Sequence, residues 1–410
     1  MRIDCNRAAA ARPISCAGPL APHFDGFSAH LVAEGYSART LLDKCELVAT
    51  LSRWLERRAV PLAKLNETLL QQFHESYRGT IRRGDVSVGR RLLNFLRTGG
   101  VIPALAQKLD RSATGNCTRD YERFLICERG LSRATVFNNL HIVRRFLMGY
   151  GAEKARGLRE LRPQDLHRFI LQEERRVSRS RAQQTAAALR AFMRFLQPRG
   201  AIRTDLAASI PPVASWKLSH LPKFLPPEQI ERVLKGCDRR TPKGQRDQAI
   251  LLLLARLGLR AGEVVAMTLE DLDWEHGEFI VRGKGPRHER LPLPRDVGTA
   301  IARYLRECRP ECSTRRVFVC MRAPFRALGS SGVIFHVVRG ALRRAGVNPS
   351  FQGSHLFRHS LATNLLSRGA SLDEIGQLLR HQRQTTTQIY AKVDIKALRG
   401  IALPWMGGAS

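Results

Sequence analysis

Residues 209 to 230, "SIPPVASWKLSHLPKFLPPEQI", carry five prolines. Proline fixes φ, lacks an amide hydrogen and clashes with the preceding turn, so no helix or central strand runs through this stretch. It cuts the 410-residue chain into two parts. A chain of this length already exceeds the size at which one core keeps growing, and two or three domains are expected. Residues 209–224 are therefore read as a linker, followed by a domain over 225–405.

The part before the linker has apolar residues at three- and four-residue spacing, the pattern of amphipathic helices. It also repeats short stretches of itself: "GYSARTL" at 35–41 matches "GLSRATV" at 130–136, and "FLRTGGVI" at 95–102 matches "FLQPRGAI" at 195–202. Two anchors at offsets of 95 and 100 residues suggest a duplicated helical module. The expectation is one helical module over 1–105 and a second over 110–208.

The part after the linker reads as a mixed, mainly helical domain. "QAILLLLARLGLRAGEVVAM" predicts a buried helix ending near Gly258, a break holding Arg260, and a new helix from about Ala261. Arg260 could serve there as a cap or as a partner of Glu263. "GEFIVRGKGPRHERLPLP" predicts a β-hairpin with Lys284 at its turn. "SHLFRHSLATNLLSRGA" puts His355, Arg358, His359 and Ala362 on one stripe of a helix, a poor core and a good anion site. "SLDEIGQLLRH" offers a capping box, Ser371 with Glu374, that starts a helix leading to His381. Tyr390 follows in "TTTQIYAKVD"; taken alone, such a ring is ordinary packing.

Charge narrows the partners. The formal net charge is +32, from 68 basic and 36 acidic residues, and 57 of the basic residues are arginine. Such a field attracts polyanions, and the guanidinium fork grips phosphate oxygens in pairs. Double-stranded DNA is the leading partner, although a genome rich in Arg codons would give the same composition. The nine cysteines are scattered, and Cys308, Cys312 and Cys320 lack a nearby fourth ligand, so neither a metal nor a cofactor is expected. No long apolar run or leader is seen, and a cytoplasmic, nucleoid-associated protein without membrane contact is the expectation.

Two arginines, a lysine, several histidines and a tyrosine, without clustered carboxylates, argue against metal-dependent hydrolysis. They suit attack on a phosphodiester by Tyr390, with Arg260 and Arg358 neutralising the non-bridging oxygens, His355 as base and Lys284 protonating the departing oxygen. The blocks "LGLRAGEV", "VRGKG", "HLFRH" and "LRHQRQTTTQIY" resemble, in order, the signature boxes of the tyrosine recombinase (phage integrase) family.

That resemblance implies a fold class: mainly α and multidomain, with helical N-terminal DNA-binding modules, the second a SAM-like core-binding domain. The catalytic domain would be mostly helical with one small antiparallel sheet. It also implies Arg260, Lys284, His355, Arg358 and His381 as the phosphate-activating set and Tyr390 as nucleophile.

The implied activity is site-specific recombination through a covalent 3′-phosphotyrosine, for integration, excision or transposition of a mobile element. The implied assembly is a homo-tetramer on DNA, with sister recombinases as further partners. A type IB topoisomerase and a non-catalytic accessory protein are the alternatives. One departure stands out: Arg380 occupies the position before the last histidine where the family usually has glycine. There it would strain a helix end or add a phosphate contact.

Overall fold

The computed structural model describes residues 14–77, 83–105, 112–150, 157–174, 177–213, 221–283, 288–381 and 383–393. The chain divides into two compact units, one formed by residues 1–104 with 220–410 and the other by 105–219. The first unit contains separate N-terminal and C-terminal cores, and the second has one of its own.

The N-terminal core is built by helices Ala21–Ala33, Ala38–Arg57, Glu67–Ser76 and Arg83–Thr98. Its interior includes Phe27, Leu31, Leu47, Val48, Leu51 and Leu96. The unit spanning 105–219 uses the same order: Ala113–Arg123, Arg133–Tyr150, Pro163–Glu174 and Arg179–Leu196. Its interior includes Tyr121, Leu125, Ile142, Val143, Phe146 and Leu196.

Local details recur as well. At the start of each second helix one hydroxyl pair closes the turn, Ser37 with Thr40 and Ser132 with Thr135, both at 2.9 Å. Each fourth helix is followed by a left-handed glycine, Gly100 at φ +68° and Gly200 at φ +66°. The backbone N–H of Val101 then reaches back to Leu96 and that of Ala201 to Leu196. The second core runs on to Ile210, two residues past the expected boundary at 208.

Residues 211–213 and 221–226 have no regular secondary structure, as their prolines require. The linker ends on the C-terminal core, where the backbone N–H of Leu225 donates to Ser360 Oγ at 2.8 Å. That core is mainly helical, centred on the buried helix Pro242–Leu257.

Its sheet has three antiparallel strands in sequence order: β1 (Leu272–Asp273), β2 (Glu278–Arg282) and β3 (His288–Pro292). The expected hairpin is β2 with β3, Ile280 facing Arg290 across it. The short β1 adds a strand that the sequence reading did not contain. In the same unit the N-terminal and C-terminal cores meet where the backbone N–H of Phe325 donates to the Glu34 carbonyl at 3.3 Å.

Candidate active site

The Pro242–Leu257 helix stops at Gly258, which is left-handed at φ +58°. A Cβ there would lie 2.7 Å from Leu379 Cδ2, so both the turn and the packing require glycine. Arg260 then caps the short helix Ala261–Ala266. Its backbone N–H donates to Glu263 Oε2 at 2.8 Å and its Nη1 to Glu263 Oε1 at 2.7 Å. Nη2 donates to the carbonyl of Arg380 at 3.2 Å. Both readings of Arg260 therefore hold together: it caps and pairs, yet 39% of its side chain stays exposed for a further anion.

The His355–Ser367 helix supplies the stripe expected from sequence. Arg358 is only 3% exposed. Its Nη1 donates to the Gly258 carbonyl at 2.6 Å and its Nη2 to the Leu379 carbonyl. One guanidinium thus ties the end of the Pro242–Leu257 helix to the end of the next helix beyond it.

That next helix, Leu372–Leu378, opens on the expected box: Ser371 Oγ accepts from the Glu374 N–H, and Glu374 Oε2 accepts from the Ser371 N–H. It closes with the His381 N–H on the Gly376 carbonyl and the Arg380 N–H on the Gln377 carbonyl. This paired closure needs a left-handed residue just past the cap, and Arg380 fills it at φ +54°. The Arg380 side chain is 5% exposed and sends Nη2 to Glu263 Oε2 at 3.0 Å.

Tyr390 lies in the 3₁₀ segment Gln388–Val393, 1% exposed, packed with Ala362, Ile375 and Leu379. Its hydroxyl meets Nδ1 of His359 at 2.9 Å. The expected base, His355, stands one turn earlier on that helix, its ring 6.3 Å from that of His359. Sequence reasoning placed His359 on the stripe but gave it no task; i, i+4 spacing from His355 was the available signal. His381 stacks near the tyrosine, ring centroids 6.4 Å apart, and its Nδ1 meets Thr387 Oγ1 at 2.8 Å. Lys284 lies outside the described residues.

The electrostatics follow from burial and crowding of positive charge. Burial, then repulsion from Arg260 and Arg380, brings Arg358 down to about 10. Burial, then His355 and Arg358, brings His359 down to about 4. Burial, then Arg358 and Arg260, does the same to His381, also to about 4, and lowers His355 as well, there with Arg358 as the larger of the two charges. At neutral pH these imidazoles are uncharged.

Burial pushes Tyr390 up to about 12, with Arg358 pulling the other way. Burial also pushes Glu263 upward, but the Arg260 N–H and the charges of Arg380 and Arg260 outweigh it and hold the carboxylate ionised. A cavity of about 590 Å³ opens on this group, lined by Arg260, Glu263, Arg282, Arg380, His381 and Arg383, among others. Among the described residues, no set of three or more His, Cys, Asp or Glu side chains is placed to hold a metal ion.

The arrangement therefore presents the part-exposed Arg260 guanidinium and the neutral His381 imidazole to one cavity, with Arg358, His359 and Tyr390 buried in the same region. Comparison with known proteins gives the same direction. The Phage integrase family matches residues 223–396, and the Phage integrase, N-terminal SAM-like domain matches residues 119–200. A protein of Sinorhizobium fredii (strain NBRC 101917 / NGR234) named as an integrase/recombinase, y4rA, is 40% identical over 96% of this chain and 96% of its own length.

The chain belongs to the phage integrase family of tyrosine recombinases. It is thereby an enzyme of DNA strand breakage and rejoining. The tyrosine recombinase XerD of Listeria monocytogenes serotype 4b (strain F2365) is 32% identical over 69% of this recombinase and 95% of its own length. The fold agrees with that of the XerH site-specific recombinase bound to palindromic difH substrate. The TM-score is 0.55 at 18% identity, covering 76% of this chain and 92% of that one.

Proposed function

We propose that this recombinase cuts and rejoins double-stranded DNA through a covalent 3′-phosphotyrosine on Tyr390. The contact that supports this reading is the 2.9 Å approach of the Tyr390 hydroxyl to a neutral His359 Nδ1, with the Arg358 charge acting on both and Arg260 in turn close to Arg358. In the reacting arrangement the phenol oxygen bonds to phosphorus while the bond to the 5′-oxygen breaks. The phenol proton passes to His359 Nδ1, and the 5′-oxygen takes a proton, a role the family resemblance assigns to Lys284.

Arg260, exposed to the cavity, matches the charge that builds on the non-bridging oxygens, and the buried Arg358 adds a second positive charge to the site. His381 and His355 complete the set that surrounds them. Tyr390 is 1% exposed as it stands, which keeps the nucleophile from water, and the surrounding site must open to the phosphate with the Tyr390–His359 contact retained.

The residues before the linker are proposed to bind DNA as two copies of one module, 1–105 and 110–208, on the strength of their shared helix order, hydroxyl pairs and left-handed glycines. Relatives named as integrase/recombinase favour work on a mobile element, by integration, excision or transposition. A lambda integrase has been seen as a tetramer bound to a Holliday junction, and with a TM-score of 0.52 it favours a homo-tetramer here, with or without sister recombinases. Such work would take place in the cytoplasm, at the nucleoid.

The test starts by sequencing the DNA that co-precipitates with the protein from its host. A nicked duplex carrying the recovered site should trap a protein–DNA adduct on the peptide containing Tyr390. Tyr390→Phe should bind that duplex and form no adduct. An adduct on another tyrosine, or one that survives Tyr390→Phe, would overturn the mechanism.

A further inference from the structure

Arg380 stands where three demands collide. The chain path at the end of the Leu372–Leu378 helix requires φ +54°, a conformation that glycine adopts freely and arginine does not. The side chain is nonetheless buried, with Nε lacking any hydrogen-bond partner and Glu289 Oε2 no nearer than 3.9 Å. A residue that is both strained and incompletely satisfied needs a compensating interaction; among the described residues Nη1 donates to the Leu378 carbonyl at 3.3 Å, and the charged partner in hydrogen-bond reach is Glu263, with Nη2 on Oε2 at 3.0 Å.

Glu263 is also the partner of Arg260, through Oε1 to Nη1 and through Oε2 to the backbone N–H. If Arg260 and Glu263 stood alone, the buried carboxylate would cancel the charge that Arg260 could offer a phosphate. With Arg380 on the same carboxylate, two guanidiniums share the charge of Glu263, and at the cavity wall Arg260, Arg282, Arg380 and Arg383 outnumber Glu263 and Glu289, so the wall keeps a net positive charge. The Arg380 carbonyl completes the arrangement by accepting from Arg260 Nη2 at 3.2 Å.

We propose that Arg380 is a positioning residue for Arg260: it shares Glu263, so that the Arg260 guanidinium keeps its charge for a phosphate group in the cavity. This rests on the reading of Arg260 as a phosphate-binding residue given above. It makes the replacement of glycine at this position a change in the electrostatics of the site, not a tolerated substitution at a helix end.

The experiment measures single-turnover adduct formation on the nicked duplex at saturating DNA, together with duplex affinity. Arg380→Gly should slow adduct formation by about ten- to a hundredfold while affinity changes by no more than about threefold. Arg380→Lys, which keeps the charge, should stay within about fivefold of the parent. Adding Glu263→Gln to Arg380→Gly should restore adduct formation at least about tenfold, because the neutral amide no longer draws on Arg260.

A purely structural role would give no such rescue. Should Arg380→Gly fail to fold, Arg380→Gln, of similar length but uncharged, must show the same loss and the same rescue. Parent-like rates in the neutral variants, or no recovery on adding Glu263→Gln, would overturn the proposal. Tyr390→Phe in the same assay separates the two ideas: a persisting adduct there sinks the phosphotyrosine reading, whereas its loss beside an unaffected Arg380→Gly sinks this inference alone.

Discussion

At the scale of single residues, the proposed site holds its imidazoles neutral beside its arginines. His359 meets the Tyr390 hydroxyl and is brought down to about 4 by burial, then by His355 and Arg358. A base already free of its proton at pH 7 predicts adduct formation that is nearly independent of pH between about 6 and 9. His359→Ala should lower the rate by about a hundredfold with Tyr390 still in place, and a stopped time course on the nicked duplex would show it.

Stability has a definite sign. His355, His359 and His381 have folded values below the ordinary histidine value, so between about 6.5 and about 4 the unfolded chain binds more protons than the folded one. Their contribution is present above that window and is lost as pH falls through it. The melting temperature should therefore drop from pH 7 to pH 5, and His359→Asn should make that drop smaller. An unchanged drop would show that this imidazole is not held neutral by the fold.

At the scale of elements, two helix ends carry the site. Gly258 closes one helix and gives its carbonyl to Arg358; Arg380 closes another, just after the Leu379 carbonyl that takes Arg358's other nitrogen. The proposed site is thus built from the irregular ends of helices, where backbone carbonyls are left free to bind a guanidinium. Gly258→Ala forces a left-handed alanine and drives a methyl to within 2.7 Å of Leu379 Cδ2. It should cost about 1–3 kcal/mol of stability, read by denaturant melts, and reduce adduct formation as well, because Arg358 loses its anchor.

At the scale of the whole molecule, the described residues form three large hydrophobic cores and a small fourth cluster around Tyr390, and the basic charge is spread along the chain. Removing residues 1–105 should leave the C-terminal core folded and able to form the adduct, since every described residue of the site comes from 258–390. Complete strand exchange should fail. Retention of full recombination by the truncated protein would show that the first module is dispensable. Because each phosphate contact releases counterions, duplex affinity of the full chain should fall at least about tenfold between 50 and 200 mM salt, as measured by titration. Residues 394–410, with Leu398, Leu403 and Trp405, lie outside the described residues.

Much of this was written locally in the chain. Prolines 211, 212, 222, 226 and 227 marked the break because their effect on the backbone needs no partner. Gly258, Ala261 and Ser371 marked helix ends because caps are chosen within a few residues. The spacing of His355, Arg358 and His359 placed all three on one stripe, since helical periodicity is itself a local property.

What sequence alone did not determine was which member of that stripe meets Tyr390. Nor did it show that Glu263 joins Arg260 to Arg380 across 117 positions, or that Arg380 turns left-handed with its head buried. Those are pairings between groups far apart in the chain. Only the packing of the Leu372–Leu378 helix and the Gln388–Val393 segment against the His355–Ser367 helix decides them, because a hydrogen bond depends on position in space to within a few tenths of an ångström and the chain fixes that only once its cores have formed.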